Sequence, residues 1–171
     1  MDQADADFAE FVRSRTHSLL RAAFLLTGDQ HLAEDLVQEA LARTHRSWNR
    51  LDRAGNAEAY ARKIMYHTQV SFWRRGRVAE VMPGELPDRA GGDGSDESDA
   101  TTRRLVLRNA LLQLSAKQRA VIVLRFFEDH SESEAAELLG VSVNTVKTQC
   151  ARGLAKLRTL LPDMRALEAQ A

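Results

Sequence analysis

Apolar side chains recur every three to four positions along most of the chain, which is the spacing of one helix face. In the first half this pattern predicts three long helices, over about 5–26, 30–48 and 57–76. The stretch 27–29 (Thr-Gly-Asp) ends the first of them and offers Asp29 as the N-cap of the second. Asn56 is the predicted cap of the third, after a loop over 51–55. No strand-like alternation appears in this half.

The predicted second and third helices each have a distinctive pair of faces. On the second, the residues expected to be buried are Leu32, Leu36, Val37, Ala40, Leu41 and Trp48. The opposite face is polar and acidic, with Glu34, Asp35, Gln38, Glu39 and Arg43. On the third, Tyr60, Ile64 and Thr68 share one side.

The second half predicts four shorter helices with readable ends. They cover about 101–113, 116–128, 132–139 and 143–161. Two pairs have the spacing of capping boxes: Ser115 with Gln118, and Ser131 with Glu134. In a capping box, a serine and a residue three positions later each accept a hydrogen bond from the other's backbone N–H. Gly140 is expected to end the third of these helices, and Pro162 ends the last.

A segment rich in proline, glycine and acid separates the two halves. Residues 83–94 hold two of the three prolines and four of the nine glycines, and Asp93, Asp96, Glu97 and Asp99 follow without a nearby base. Such a segment buries too little apolar area to offset its ordering entropy. We therefore expect an all-α protein with two small helical domains, 1–78 and 103–171, joined by a flexible acidic linker over 79–102.

Composition excludes several classes of protein. The single cysteine, Cys150, allows neither an internal disulfide framework nor a cysteine-based zinc site, which favours a cytoplasmic location. No apolar run is long enough to span a membrane. The five histidines (17, 31, 45, 67 and 130) lack metal-ligand spacing, and no phosphate loop or nucleophile motif occurs. The sequence therefore predicts a protein that is not an enzyme and that binds no metal or cofactor.

The net charge of zero hides an uneven distribution of charge. Residues 60–79 carry five bases and no acid, and residues 142–158 carry four bases and no acid. Two compact basic zones on an acidic background are typical of a protein that binds a polyanion, although two solvated helix faces would also fit.

The second basic zone belongs to a helix-turn-helix pattern. A short helix, a turn over 139–142 that contains Gly140, and a longer basic helix follow each other at the required spacing. Short polar side chains near the start of the second helix can reach base edges in the major groove, while its bases hold phosphates. This arrangement favours DNA binding over an ordinary helical hairpin.

Both halves resemble one bacterial family. Residues 114–128 (LSAKQRAVIVLRFFE) and 133–148 (SEAAELLGVSVNTVKT) are similar to region 4 of sigma factors. In the first half, residues 33–41 (AEDLVQEAL) resemble regions 2.1–2.2, and 60–77 resemble regions 2.3–2.4. The resemblance is to the extracytoplasmic-function (ECF, group IV) class of the sigma-70 family, which keeps only regions 2 and 4.

This resemblance implies three binding surfaces and their partners. This chain would bind core RNA polymerase at the β′ clamp helices and the β flap. Asp35, Gln38 and Glu39 would contact the clamp helices. The promoter −10 element would be recognised and melted by the segment 50–56 and the helix after it, with Asn56, Tyr60, His67, Trp73, Arg74, Arg75 and Arg77. The −35 element would be read by Asn144, Lys147, Thr148, Gln149, Ala151 and Arg152.

The resemblance further implies an anti-sigma factor as a partner, but the chain departs from the family pattern at some positions. Family members commonly have Asn and Asp in the region 2.4 helix where this chain has His67 and Ser71, so −10 specificity would not transfer directly. Two other functions stay open at this point: a LuxR-like helix-turn-helix regulator that binds DNA without polymerase, and a helical adaptor that binds only protein.

Overall fold

Every regular element in the described part of the chain is helical, as predicted. The computed structural model describes residues 2–51, 53–76 and 95–161. The helices are α1 (Gln3–Thr27), α2 (Gln30–Arg46), α3 (Arg53–Gly76), α4 (Ser95–Gln113), α5 (Ala116–Ile122), α6 (Glu132–Leu139) and α7 (Val143–Leu160). A 3-10 turn, Trp48–Arg50, links α2 to α3, and a π-helical turn, Val123–Phe127, continues α5.

Local capping interactions fix most helix ends where the sequence predicts them. Gly28 ends α1 in the left-handed conformation, and the Asp29 side chain accepts a hydrogen bond from the Leu32 backbone N–H at 2.9 Å. Both predicted capping boxes form, and Ser142 caps α7 through the Thr145 N–H. Each cap satisfies a backbone donor that has no partner within its helix.

Three boundaries differ from the prediction. Helix α3 starts at Arg53, so Asn56 lies inside it and is not its cap; Gly55 weakens a helix by about 1 kcal/mol relative to alanine but does not forbid one. Helix α4 starts at Ser95, so residues 95–102 of the predicted linker are helical. Helix α5 gives way to the π-helical turn at Val123.

Two residues predicted on the buried face of α2 lie elsewhere. Leu32 is 48% exposed, whereas Ala33 beside it in the first turn of α2 is buried, so Leu32 lies on the outer side of this turn. Trp48 belongs to the 3-10 turn, where its ring packs edge-on against Phe8 at a centroid distance of 5.1 Å. The position of Trp48 is therefore set by its packing against α1 and not by a continuation of α2.

The helices form two modules joined by a shared cluster of buried side chains. Helices α1, α2 and α3 pack together, and α5, α6 and α7 pack together, while α1 and α3 also contact α5, α6 and the π-helical turn. One continuous cluster of buried side chains contains Leu26 and Met65 from the first module and Val121 and Leu124 from the second. The two modules are therefore in direct contact through apolar side chains.

Candidate functional site

Helices α6 and α7 form the helix-turn-helix that the sequence predicts. Gly140 adopts φ +67° between them, and Val146 is fully buried on the inner side of α7. Gly153 lets α7 pass close to α5, because a Cβ at this position would lie 3.0 Å from the Ile122 side chain. This close approach, which the sequence pattern does not single out, packs α7 tightly against α5.

The outer face of α7 is free for a ligand. The predicted base-reading residues Asn144, Lys147, Thr148, Ala151 and Arg152 are exposed and Gln149 is half-buried. The Lys147 Nζ lies 3.8 Å from Glu132 Oε2, and its side chain is 59% exposed. An exposed ion pair of this length is weak, so the ammonium group remains available to a stronger acceptor.

The predicted acidic face of α2 is also accessible. Asp35 and Gln38 are exposed, and Glu39 is partly exposed, with Oε1 accepting a hydrogen bond from Arg43 Nε at 2.6 Å. Leu32 precedes Asp35 by three positions and Glu39 by seven, so the three share one side of the helix. The face therefore combines acidic side chains with exposed Leu32, where the sequence predicts a buried residue.

The side of α3 that carries Tyr60 borders an open groove. Its volume is about 480 Å³, and it is lined by Arg43, Tyr60, Lys63, Ile64, His67, Thr68 and Ser71. We call it the α3 groove. The half-buried Tyr60 shares a hydrogen bond of 3.1 Å between its hydroxyl and Ser47 Oγ, which holds the ring at the groove wall. Tyr60 is thus neither a core residue nor a free surface side chain.

The structure brings together only part of the predicted −10 set. Asn56, Tyr60 and His67 follow each other at intervals of four and seven, which places them along one side of α3. Trp73, Arg74 and Arg75 belong to the last turns of α3, where only the course of the backbone is described. Arg77 lies outside the described residues.

Two basic residues of the α3 groove were not singled out from the sequence. Lys63 lies three positions after Tyr60 and four before His67, so helical spacing could have identified it. Arg43 comes from α2, and no sequence signal joins it to α3. Together they place two basic side chains beside an aromatic ring, although Arg43 also pairs with Glu39; basic and aromatic side chains side by side suit a nucleic acid strand.

The described residues give little support to a metal site, a membrane span or a reactive thiol. Within 2–51, 53–76 and 95–161, no group of three His, Cys, Asp or Glu side chains is arranged to hold a metal ion. None of the described helices is both long and apolar enough to cross a membrane. Cys150 is half-buried, and this burial raises the pKa of its thiol, which favours the protonated form over the thiolate.

Comparison with known proteins assigns both modules to one family. Family models for sigma-70 region 2 and sigma-70 region 4 match residues 11–78 and 104–157. The chain is 40% identical over 166 residues to the RNA polymerase sigma-E factor of Streptomyces coelicolor, covering 95% of this chain and 92% of that relative. The chain belongs to the sigma-70 family. It is therefore a sigma factor and not a LuxR-like regulator.

Further relatives place this sigma factor in the ECF class. It is 32% identical over 151 residues to the ECF RNA polymerase sigma factor SigL of Mycobacterium tuberculosis, with 85% of this chain and 84% of that one covered. Among solved structures it is similar to the sigma factor RpoE of Bartonella quintana, crystallised with the anti-sigma factor NepR. That chain is 25% identical, with a TM-score of 0.65 over 91% of this chain and 97% of RpoE.

Proposed function

We propose that this protein binds core RNA polymerase and directs sequence-specific transcription initiation at promoters with −10 and −35 elements. The observation that carries the proposal is the presence of sigma regions 2 and 4 in one chain. A regulator that acts without polymerase needs only the helix-turn-helix, and an adaptor that binds only protein needs no recognition helix. The family-wide role is that of a specificity subunit, and no catalytic chemistry is assigned to it.

The acidic face of α2 is the proposed docking site for polymerase. Asp35, Gln38 and Glu39 would contact the clamp helices of the β′ subunit, and region 4 would contact the β flap. Leu32 extends the face with exposed apolar area. An apolar side chain beside acids is suited to a protein partner, because its burial adds affinity while the acids set the orientation.

The α3 groove is the proposed site for the −10 element. A base splayed from the duplex would stack against Tyr60, while Lys63 and Arg43 would hold the adjacent phosphates. Asn56 and His67 would contact the same strand along α3. The remaining members of the proposed −10 set, near the end of region 2, are Trp73, Arg74, Arg75 and Arg77.

The exposed face of α7 is the proposed reader of the −35 element. Lys147, in the second turn of α7, is the candidate donor to a guanine base edge, and Arg152 would contact a base or a phosphate. Asn144, Thr148, Gln149 and Ala151 complete the face. Residues 79–102 would join the region 2 domain (1–78) to the region 4 domain (103–171) and let both reach one promoter.

The partners and location follow from the same proposal. The protein would act in the cytoplasm, where core polymerase and promoter DNA are found. An anti-sigma factor is proposed as its inhibitor, because a close structural relative was crystallised with one.

Reconstituted transcription tests the proposed function. Purified core polymerase is incubated with genomic DNA fragments, with and without this protein, and the transcripts are compared. We expect new, discrete transcripts only when the protein is present. DNA binding by the protein without any such transcript would support a regulator instead. Salt-insensitive association with DNA, or none, would support the adaptor.

A further inference from the structure

Valine occupies two exposed positions at the turn of the helix-turn-helix. Val141 is 40% exposed and Val143 is 36% exposed, and they stand on either side of Ser142, the N-cap of α7. Val143 is the first residue of α7. In this motif the N-terminal residues of the second helix contact base edges in the major groove. The end of α7 that would meet DNA therefore carries apolar surface that is open to solvent.

The hydroxyl groups beside Val143 are already used by the helix cap. The Ser142 Oγ accepts a hydrogen bond from the Thr145 N–H at 3.1 Å, and the two side-chain oxygens share a second hydrogen bond of 2.9 Å. Val146, which completes the first turn of α7, is fully buried. The first turn of α7 therefore presents two side chains to a ligand, the apolar Val143 and the polar Asn144.

Val143 begins a row of exposed side chains along α7. Lys147 and Ala151 follow it at intervals of four residues, and all three are exposed. Residues four apart lie one above the other on the same side of a helix. The row therefore places Lys147, the proposed donor to guanine, between two apolar side chains. A second row, one residue further along, is polar throughout: Asn144, Thr148 and Arg152.

The stability of the fold gives no reason for valine at position 143. Val146, three residues further on, belongs to the cluster of buried side chains, whereas Val143 does not. Valine is also less favourable than alanine in a helix, because its branched side chain loses rotamer freedom there. An apolar side chain in this place contributes free energy when a ligand covers it and removes it from water.

The major groove of DNA presents one apolar group that such a side chain can cover. Base pairs show hydrogen-bond donors and acceptors there, and thymine adds a methyl group at C5. We propose that Val143 reads a thymine of the −35 element by packing against this methyl group. The inference rests on the proposed −35 role of α7, and it adds a residue that selects one base.

The row along α7 also predicts where this thymine lies. Val143 and Lys147 are four residues apart, which is about 6 Å along a helix and close to two base steps of about 3.4 Å each. The thymine, on either strand, should therefore lie within about two base pairs of the guanine that Lys147 contacts. That guanine is the one whose replacement has no further effect on binding in Lys147→Ala.

Replacement of thymine by uracil tests the contact, because uracil keeps the base pair and lacks the methyl group. The probe is the promoter with the strongest protein-dependent start in the transcription assay, with each −35 thymine of either strand replaced singly by deoxyuridine. Competition binding by holoenzyme compares these duplexes. With the wild-type chain we expect one replacement, close to the guanine, to weaken binding about threefold to fivefold, which is the scale for losing one buried methyl group.

Two variants of the full chain assign the effect to one side chain. In Val143→Ala the thymine and uracil promoters should bind alike, because the shorter side chain no longer covers the methyl group. Val106→Ala is the matched control, since Val106 is a 45% exposed valine of α4, outside the helix-turn-helix, and this variant should keep the wild-type preference for thymine. Circular dichroism and binding to core polymerase check that both variants fold and assemble.

Three results would overturn the role of Val143 alone. They are a −35 element without thymine within two base pairs of the guanine, binding that no uracil replacement weakens, and a full preference for thymine in Val143→Ala. Failure of the proposed function looks different. If core polymerase with this protein gives no protein-dependent start on any DNA, the −35 role of α7 is refuted, and the role of Val143 is refuted with it.

Discussion

The Tyr66 hydroxyl donates a hydrogen bond of 2.7 Å to Glu128 Oε2, joining residues 62 positions apart and belonging to different modules. The phenol is fully buried. Burial, followed by the negative charge of Glu128, raises the pKa of Tyr66 well above its ordinary value, although Arg62 opposes the rise. The proton of Tyr66 is therefore part of what holds the modules together.

The first prediction concerns alkaline pH. Above about pH 10, an unfolded chain loses the Tyr66 proton while the folded chain retains it. The folded state then binds more protons, so the free energy of unfolding falls as pH rises. The free energy of unfolding, measured in urea across this pH range, should decline less steeply in Tyr66→Phe than in wild type. Equal slopes would mean that the Tyr66 proton does not contribute.

The second prediction concerns the buried arginine. Arg119 donates to the carbonyls of Leu26, Leu111, Leu112 and Leu114, and burial lowers its pKa to about 10, which leaves it charged at neutral pH. Arg119→Met leaves buried carbonyl oxygens with fewer partners and should lower the free energy of unfolding by about 2–4 kcal/mol.

The control for Arg119→Met is an arginine on the surface. Arg13 pairs with Glu10 at 2.8 Å, and its side chain is 68% exposed. Arg13→Met should change the free energy of unfolding by no more than about 0.5 kcal/mol. Similar losses in the two variants would show that Arg119 has no special structural role.

The third prediction concerns −35 reading. If Lys147 donates to a base edge, Lys147→Ala should weaken the binding free energy by roughly 1–3 kcal/mol on a matched promoter. The loss should be much smaller on a promoter with a scrambled −35 sequence. Lys156→Ala, an exposed lysine further along α7, should weaken both templates alike. Competition binding by holoenzyme measures the difference. An equal loss on both templates would reduce Lys147 to a phosphate contact.

The fourth prediction concerns assembly with polymerase. Leu32 is 48% exposed, so Leu32→Ala should leave the free energy of unfolding within about 0.5 kcal/mol of wild type. It should nevertheless weaken binding to core polymerase, as should the double variant Asp35→Asn with Glu39→Gln. Surface plasmon resonance on immobilised core enzyme measures this, with Glu10→Gln as control. If both variants bind core polymerase as wild type does, the acidic face of α2 is not part of the interface.

The sequence predicts the local structure well because local forces set it. The caps predicted at Asp29, Ser115 and Ser131 all form, since a cap and the N–H it satisfies lie within three residues. Asn56 is the exception, because its backbone is helical and cannot cap. The recognition helix follows from the same local signals.

The contact between the modules could not be predicted in this way. Glu128 is an ordinary acid in the sequence, and its partners are 62 and 66 positions away. Its place depends on the π-helical turn and on the left-handed Asp129, and neither has a distinctive sequence signal. The exposure of Leu32 has a related reason, since helical spacing indicates a face but not how much of the helix circumference its neighbours cover.

The most direct test of the proposed function is to map the 5′ ends of RNA made from genomic DNA by core polymerase supplemented with this protein. We predict discrete starts that are absent without the protein and that share a −35 and a −10 element at one spacing. Substitution of Lys147 or Lys63 by alanine should reduce their yield. Transcript ends identical with and without the protein would contradict the proposal that it is a promoter-specificity subunit.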